Sequence, residues 1–436
     1  MGEIHPTTGS NSPKPEPLLE RMSDHETHRR PALLPRALLP RVRQALKTFP
    51  VVAIVGARQT GKSTLVRDLL QQDERLYVTL DDLETAELAE READSLLRRA
   101  SHMTIDEVQR VPDLLLAVKR AVDRERTPGR FILTGSANLL LMQRVSESLA
   151  GRALYLTLWP MTRREQLARA TAGHWSVFFE TRPPEWPEVL KEIPGPAADW
   201  EAFARRGGYP VPACHIAEQR ARRDWFRGYI DTYLERDVRQ LASIEYLVDY
   251  RRLMRAVALR TGNLMNQAEL ARDVALAPST AQRYLNLMET SYQLVRLESY
   301  SVSRTKRLTK SPKAYWSDTG LALEVAGGSE PRGANFENLV FADLLAWRDY
   351  SEERAEILYW RTTKGAEVDF VIERGSDMLP VEVKSSSRVG LGDVKNLRVF
   401  LDEYSHRAKG GLLLYTGDDV FWLTDRILAV PWWRVV

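Results

Sequence analysis

The stretch VVAIVGARQTGKST, residues 51–64, decides the fold of the N-terminal half of the chain. Its second part fits the pattern G-x-x-x-x-G-K-[ST], and it lies between a β-branched strand and a helical segment. Glycines in such a loop let backbone N–H groups curl around a phosphate, and the following helix presents its positive end. We therefore predict a phosphate-binding loop (P-loop). The predicted nucleotide-binding residues are Gly56, Ala57, Arg58, Gln59, Thr60, Gly61, Lys62, Ser63 and Thr64.

An acidic pair follows one strand and one helix later, at Asp106 and Glu107. In P-loop chemistry the lysine, here Lys62, reaches the β- and γ-phosphates, and the hydroxyl of Ser63 binds Mg²⁺. Asp106 would hold the same Mg²⁺ through water, and Glu107 would polarise the attacking water. This pattern predicts ATP and Mg²⁺ as cofactors and ATP hydrolysis as the activity. The alternatives are a surface Asp-Glu pair at a strand end, or an ATP or ADP clamp with little turnover.

Further polar residues follow the next predicted strand, RFILTGS. Ser136 or Asn138 would lie beside the γ-phosphate and sense its loss. Arg144 and Arg152 flank the end of the helix after that strand, where an arginine can reach the γ-phosphate of a neighbouring subunit. Such a finger requires a homo-oligomer. Arg152 is the stronger candidate, and the alternative is a cation that favours a helix C-terminus.

Together, several segments resemble a group of bacterial and archaeal AAA+-type P-loop ATPases. They are GARQTGKSTL, IDEVQ, LTGS, SLAGR, RGGYP (206–210), YIDTYLERDV (229–238), KSPKAYWSDTGLA and KGAEVDFVIE with PVEVKSS. The resemblance covers about residues 31 to 430. It implies an ATPase module, a winged-helix-like middle and a C-terminal region of unassigned function with a restriction-nuclease-like fold.

Composition excludes several classes of protein. The 436 residues include 62 Lys and Arg against 59 Asp and Glu, so the net charge of +3 excludes a highly charged tail protein. The single cysteine, Cys214, excludes an intramolecular disulfide and a Cys-based zinc site. No apolar run is long enough for a membrane helix, and the first residues lack the order of a signal peptide. We expect a cytoplasmic protein that does not enter a membrane.

Strands that alternate with helices predict an α/β fold with a parallel sheet. Its parts would be a P-loop AAA+-like domain, a helical lid, a winged-helix domain and a C-terminal restriction-endonuclease-like α/β domain. The predicted boundaries are a disordered tail at 1–30, the ATPase core at 31–163, the lid or linker at 164–250, the winged helix at 251–328 and the nuclease-like domain at 329–436.

The middle of the chain, residues 266–290, predicts a helix-turn-helix. Ser279 and Gln282 fit a capping box that opens the second helix, and the exposed positions would include Thr280, Gln282, Arg283 and Asn286, as a DNA recognition helix requires. LVRLESYS and KAYWS could pair as a wing. The loop RTKRLTKSPK between them has five basic residues in ten, which suits phosphate contacts. The alternative is a packing or partner-binding module with a solvated loop.

The C-terminal region carries acidic residues in two extended segments. Side chains alternate along a strand, so Glu367 and Asp369 share a face, as do Glu382 and Lys384. Adjacent strands would bring Asp369, Glu382 and Lys384 together, in a pattern similar to the Asp…Glu-x-Lys site of restriction-type nucleases. The carboxylates could hold Mg²⁺ or Mn²⁺, with Glu337 as a further ligand, and Lys384 could stabilise a developing charge. The alternatives are a mixed-charge strand face and a fold retained for binding.

Two functions remain open. The first is an ATPase that acts on DNA, with a C-terminal domain that binds or cleaves it. The second is a nucleotide-gated regulatory or interaction protein, such as one half of a two-component stress module, whose nuclease-like domain is non-catalytic and holds a protein partner.

Overall fold

The computed structural model describes residues 33–70, 75–135, 149–193, 196–233, 247–307 and 310–436. The predictions for the N-terminal tail, Ser136, Asn138 and Arg144 lie outside these residues. Residues 34–436 form one compact unit.

The first sheet contains five parallel strands in the order β2-β3-β4-β1-β5. They are β1 (Val51–Val55), β2 (Leu76–Thr79), β3 (Met103–Asp106), β4 (Phe131–Thr134) and β5 (Ala153–Thr157). β1, β3 and β4 are buried at every position, as the apolar sequences of β1 and β4 predict. Sequence reasoning passed over β5, an edge strand that is mostly only half-buried although its sequence ALYLT is largely apolar.

Helices cover this sheet and continue beyond it. They are α1 (Leu39–Leu46), α2 (Lys62–Thr64, extended by a π-helical segment Leu65–Leu69), α3 (Leu83–Arg91), α4 (Ala93–Leu97) and α5 (Leu114–Arg124), then the short helices α6 (Arg163–Gln166), α7 (Val177–Glu180), α8 (Trp186–Glu192) and α9 (Trp200–Arg206), and the longer α10 (Gln219–Thr232). The acidic segment ETAELAEREADSLLRR (84–99) is divided between α3 and α4. The chain turns at Glu92, whose φ of −134° is not helical.

The middle of the chain is helical and includes two helices joined by a short turn, where residues 266–290 predict them. Its helices are α11 (Leu247–Leu259), α12 (Gln267–Asp273) and α13 (Pro278–Thr290), and the hairpin that follows pairs β6 (Leu294–Leu297) with β7 (Lys313–Trp316). The predicted capping box is wrong. α13 begins one residue before Ser279, at Pro278, and its N-cap residue Ala277 has no side-chain hydrogen bond. A proline opens the helix in place of a side-chain cap, since its fixed φ suits the first helical position.

The C-terminal part begins with α14 (Arg304–Arg307), α15 (Thr319–Val325) and α16 (Gly333–Tyr350), and it ends with α17 (Lys395–Glu403) and α18 (Trp432–Val435). Its six-stranded sheet has the order β12-β13-β11-β10-β9-β8. The strands are β8 (Ala355–Arg361), β9 (Glu367–Arg374), β10 (Asp377–Lys384), β11 (Gly411–Tyr415), β12 (Phe421–Trp422) and β13 (Ile427–Pro431). β8, β9 and β10 are antiparallel neighbours, so the acidic ends of β9 and β10 meet.

The described residues form four clusters of buried apolar side chains, and the largest is a core shared by the predicted parts. This largest cluster includes Val42 of α1, Ile54 of β1, Trp175, Phe341 of α16 and Val430 of β13. Within the described residues, no helix is long and apolar enough to cross a membrane.

Candidate nucleotide site and C-terminal carboxylate cluster

The P-loop leaves the C-terminal end of β1 in a conformation that requires glycine. Gly56 has a φ of +144°, and a Cβ there would lie 2.5 Å from the carbonyl oxygen of Leu158. Gly61 has a φ of +93°, immediately before α2. The buried Nζ of Lys62 lies 2.7 Å from the carbonyl oxygen of Ala57 and 3.1 Å from that of Gly56, so its charge is held against the loop.

The acidic pair is positioned by residues of two neighbouring strands. Buried Asp106 accepts hydrogen bonds from the hydroxyl of Thr134, at the end of β4, and from that of Tyr77 on β2, at 2.7 Å. Glu107 has a φ of +57°, a conformation that costs free energy for a non-glycine residue and often marks a functional site. Its carboxylate accepts a hydrogen bond from Gln109. Sequence reasoning passed over Thr134, although a polar residue ending a buried strand was the available signal.

A buried ion pair lies beneath the loop. The guanidinium of Arg36, only 4 % exposed, donates to the carbonyl oxygen of Thr60 at 2.6 Å, to that of Trp159 at 2.7 Å and to the carboxylate of Glu165 at 3.1 Å. Burial by itself lowers the pKa of Arg36, but Glu165 and Tyr350 raise it more. The pair thus connects the segment before α1, the P-loop and α6. Sequence reasoning missed both partners, because neither lies in a motif.

Arg152 lies at the opposite end of the sheet from the P-loop. It immediately precedes β5, and its carbonyl oxygen accepts from the N–H of Val51, the first residue of β1. Its guanidinium is 2.5 Å from the carboxylate of Asp123 on α5. Because the P-loop follows the other end of β1, Arg152 cannot serve the nucleotide site of its own chain. A role in trans stays a prediction.

The nucleotide-site residues fit Mg²⁺ and ATP. β4 lies between β1 and β3, so the P-loop, Thr134 and the acidic pair come together at one edge of the sheet. The loop offers backbone amides and the ammonium of Lys62, which suit phosphate oxygens. Ser63, at the start of α2, and Asp106 offer the oxygen ligands that Mg²⁺ prefers.

The C-terminal acidic residues also come together, as the strand pattern predicts. Asp369 accepts from the backbone N–H of Val383 at 2.9 Å, and Lys384 donates to Glu382 at 2.7 Å. Two further acidic side chains belong to the same group, one from α16 and one from β9. We call the four residues the carboxylate cluster: Glu337, Glu367, Asp369 and Glu382.

The cluster also holds a residue that sequence reasoning had placed elsewhere. The Nζ of Lys313 lies 3.0 Å from Glu337, 2.7 Å from Glu367 and 3.7 Å from Asp369. Lys313 belongs to β7, so the wing of the predicted winged helix contributes directly to this C-terminal group.

The prediction that the loop RTKRLTKSPK contacts phosphates is therefore wrong for two of its five basic residues. Lys313 and Arg307 are 3 % and 5 % exposed. Arg307 lies 2.8 Å from Glu356 and 2.7 Å from Glu373 of the C-terminal sheet. The segment between β6 and β7 lies against β8, since Tyr359 donates its N–H to the carbonyl oxygen of Glu298. The other three basic residues of the loop are exposed: Arg304, Lys306 and Lys310.

Burial and mutual repulsion raise the pKa values of three carboxylates, those of Glu337, Asp369 and Glu382. Burial and the nearby Asp369 raise the pKa of Glu337 to about 7 and that of Glu382 to about 8. Burial also raises the pKa of Asp369, against the opposing effect of Lys313. Burial alone would lower the pKa of Lys313, but Glu337, Asp369 and Glu367 raise it more, so this lysine stays charged.

In this arrangement the cluster does not fit a divalent metal ion. Within the described ranges, no group of three His, Cys, Asp or Glu side chains is arranged to hold one. The metal roles predicted for Glu337, Asp369 and Glu382 remain untested. The ammonium of Lys313 lies beside Glu337 and Asp369, and that of Lys384 beside Glu382.

The RGGYP and SDTG segments meet at Asp318. This buried carboxylate accepts from the backbone N–H of Gly208 at 2.5 Å and from that of Leu321 at 2.7 Å, which caps α15. Burial raises its pKa to about 6. The same turn approaches the nucleotide site, because a Cβ at Gly61 would lie 3.7 Å from the side chain of Pro210.

Comparisons with known proteins agree with this architecture. Three family models match: an AAA domain over residues 48–167, a domain of unknown function (DUF8612) over 197–332, and a domain of unknown function (DUF4143) over 332–435. The uncharacterized protein Rv2008c of Mycobacterium tuberculosis is 30% identical over 434 residues, which cover 96% of this chain and 89% of that protein. The chain belongs to this family of P-loop ATPases with an AAA domain and a C-terminal DUF4143 domain.

More distant similarities cover less of the chain. The uncharacterized protein MJ1637 of Methanocaldococcus jannaschii is 23% identical, with 88% of this chain and 83% of that protein covered. Among solved structures, the Walker-type ATPase PABY2304 of Pyrococcus abyssi is similar with a TM-score of 0.41 and 15% identity, over 67% of this chain and 99% of that one. The family's AAA domain indicates ATP binding and hydrolysis.

Proposed function

We propose that this protein binds ATP with Mg²⁺ at the P-loop and hydrolyses it. The observation that carries the proposal is the meeting of the P-loop, Thr134, Asp106 and Glu107 at one sheet edge. When bound, Mg²⁺·ATP would supply the phosphoanhydride bond that water cleaves. The loop amides and Lys62 hold the phosphates, Ser63 and Asp106 hold the cation, and Glu107 orients water. Ser136 is proposed as the polar contact beside the γ-phosphate, and Arg152 as a finger toward a second copy of this chain.

Replacing the proposed base tests hydrolysis. We expect Glu107→Gln to keep ATP affinity and to lower kcat by about 10²–10⁴-fold, because general-base catalysis is lost. Lys62→Ala should instead lose ATP binding. The measurements are phosphate release and equilibrium binding of a fluorescent ATP analogue. Glu90→Gln, on an exposed part of α3, is the matched control. Unchanged turnover in Glu107→Gln would contradict the role of Glu107. A wild-type rate near background that the substitution does not change would favour a nucleotide clamp.

Action on DNA is a second candidate function, and the exposed face of α13 favours it. Gln282, Arg283 and Asn286 are exposed, while Ala281 and Leu285 face the core, as the winged-helix prediction requires. The guanidinium of Arg283 lies over the ring of Tyr284. It has no carboxylate partner within the described part of the chain, so its charge is available to a phosphate or a base edge.

DNA-stimulated ATPase activity tests this second function. We expect duplex DNA to raise the ATPase rate, with an effect that falls steeply with salt. Arg283→Ala should weaken DNA binding, whereas Arg182→Ala, which removes an exposed arginine paired with Glu185, should not. An ATPase rate that no DNA changes would favour the alternative, a nucleotide-gated regulatory or interaction protein.

For the C-terminal region we propose a restriction-nuclease-like fold that binds without cleaving. The ion pairs of Lys313 and Arg307 support a fold that does not cleave, because both side chains neutralise acidic residues of the same chain. Plasmid DNA incubated with Mg²⁺ or Mn²⁺, with and without ATP, should stay intact. Cleavage by the wild type that is lost in Lys384→Ala would instead establish a nuclease.

A further inference from the structure

The ammonium of Lys313 lies beside three of the four carboxylates of the carboxylate cluster. It contacts Glu337 and Glu367 at 3.0 and 2.7 Å and lies 3.7 Å from Asp369. The carboxylates come from three elements, α16, β9 and β10, but the lysine comes from β7, outside the C-terminal sheet. A cation supplied by another part of the fold thus takes the electrostatic role that a bound metal ion would have among such carboxylates.

The lysine is held firmly in this place. Lys313 pairs with Leu297 of β6 and forms a further bridge with Leu264, so its backbone is fixed on both sides. Its side chain is 3 % exposed and lies beside the ring of Tyr359. Tyr315 lies two residues along β7 on the same face, and its hydroxyl donates a hydrogen bond to the carboxylate of Glu337. β7 therefore delivers two donors to one carboxylate.

The cluster keeps ligand capacity that Lys313 does not use. Glu382 is 5 % exposed, and its Oε2 has no hydrogen-bond partner in the described structure, while its Oε1 pairs with Lys384. A buried acceptor without a partner is costly. Removal of the Lys313 ammonium would leave the carboxylates of Glu337, Glu367 and Asp369 without their shared cation. Carboxylate oxygens grouped in this way are the kind of donor set that Mn²⁺ and Mg²⁺ take.

We propose that Lys313 is the resident cation of the carboxylate cluster and excludes divalent metal from the C-terminal region. This inference goes beyond the proposed ATPase and does not rest on it, because its readout is metal binding without nucleotide. Through Lys313, β7 thereby keeps metal ions out of a nuclease-like arrangement of carboxylates and balances part of its negative charge.

The test is Mn²⁺ binding to the full chain without nucleotide, followed by electron paramagnetic resonance and calorimetry. We expect the wild type to show no Mn²⁺ site that Asp369→Asn removes. Lys313→Met should gain one, at least about 10-fold tighter than any wild-type binding, and Lys313→Met/Asp369→Asn should lose it again. Lys310→Met, which removes an exposed lysine from the same loop, is the matched control and should bind Mn²⁺ as the wild type does.

Two results would overturn the proposal. One is a wild-type Mn²⁺ site that disappears in Asp369→Asn, which would show that metal enters beside Lys313. This result can be read even if Lys313→Met does not fold. The other is a folded Lys313→Met protein that gains no Mn²⁺ site. Either result leaves the ATPase proposal untouched, since hydrolysis is measured at a separate site.

Discussion

One buried ion pair, Arg36 with Glu165, holds the nucleotide site in place. Arg36 and Glu165 are nearly inaccessible to solvent, and together they hold the P-loop, the end of β5 and α6. Removing one member of such a pair leaves the other charge buried without compensation, which is far more costly than losing a surface pair. The sequence alone did not predict this pair, since its members lie in different segments of the chain.

We expect Arg36→Met to lower the free energy of unfolding by about 3–5 kcal/mol. Adding Glu165→Gln should restore part of that loss, because the stranded charge is then removed. Urea unfolding of both single variants and of the double variant measures the coupling. Arg91→Met, in an exposed pair with Glu87, serves as control and should change stability by less than about 0.5 kcal/mol. Equal losses of unfolding free energy in Arg36→Met and Arg91→Met would show that the buried pair contributes no more to stability than the exposed pair.

At the scale of elements, the turn after α9 packs directly against the segment that follows β5. Gly208 accepts a hydrogen bond from the N–H of Met161 at 2.6 Å and donates to Asp318. The two backbones approach so closely that a Cβ at Gly208 would lie 2.4 Å from the carbonyl oxygen of Met161. The motif RGGYP was recognised from sequence, but the reason for its second glycine appears only in this contact.

We expect Gly208→Ala to destabilise the protein by about 1–3 kcal/mol, because the backbones must separate. Gly228→Ala is the matched control. Gly228 lies inside α10 with open space around it, so alanine there should stabilise the protein by up to about 1 kcal/mol. Thermal and urea unfolding measure both changes. A neutral Gly208→Ala would mean that this turn can relax at little cost.

At the scale of the whole molecule, the predicted domains are joined by polar contacts across their boundaries. Trp159 donates to Asp349 and Trp175 donates to Asp343, both at 2.7 Å. The guanidinium of Arg163 donates to two backbone carbonyl oxygens near the end of the chain. These contacts surround the shared core, so the C-terminal region supports the residues that follow β5.

We expect residues 33–436 to unfold in one cooperative transition, and a chain shortened to residues 33–331 to lose cooperative unfolding. Without α16 and the second sheet, the buried side chains of Trp175 and Ile54 would lose part of their packing, which is a main source of stability. Calorimetry and near-ultraviolet circular dichroism measure this. Two well-separated transitions in the full chain, with the first reproduced by the shortened chain, would contradict a shared core.

Local sequence determined the features that depend on local geometry. The glycine pattern of residues 56–63 determined the P-loop, and apolar runs determined β1 and β4, because backbone freedom and burial act over a few residues. Strand alternation placed Asp369 beside Glu382 correctly for the same reason.

Only the tertiary structure decided where the long charged side chains end. Lys313 and Lys310 are three residues apart in one basic loop, yet one lies among buried carboxylates and the other is exposed. The local sequence around a lysine does not show whether its ammonium contacts water, a phosphate or a carboxylate. Its partner is set by packing between elements far apart in the chain, and Arg36 with Glu165 follows the same rule.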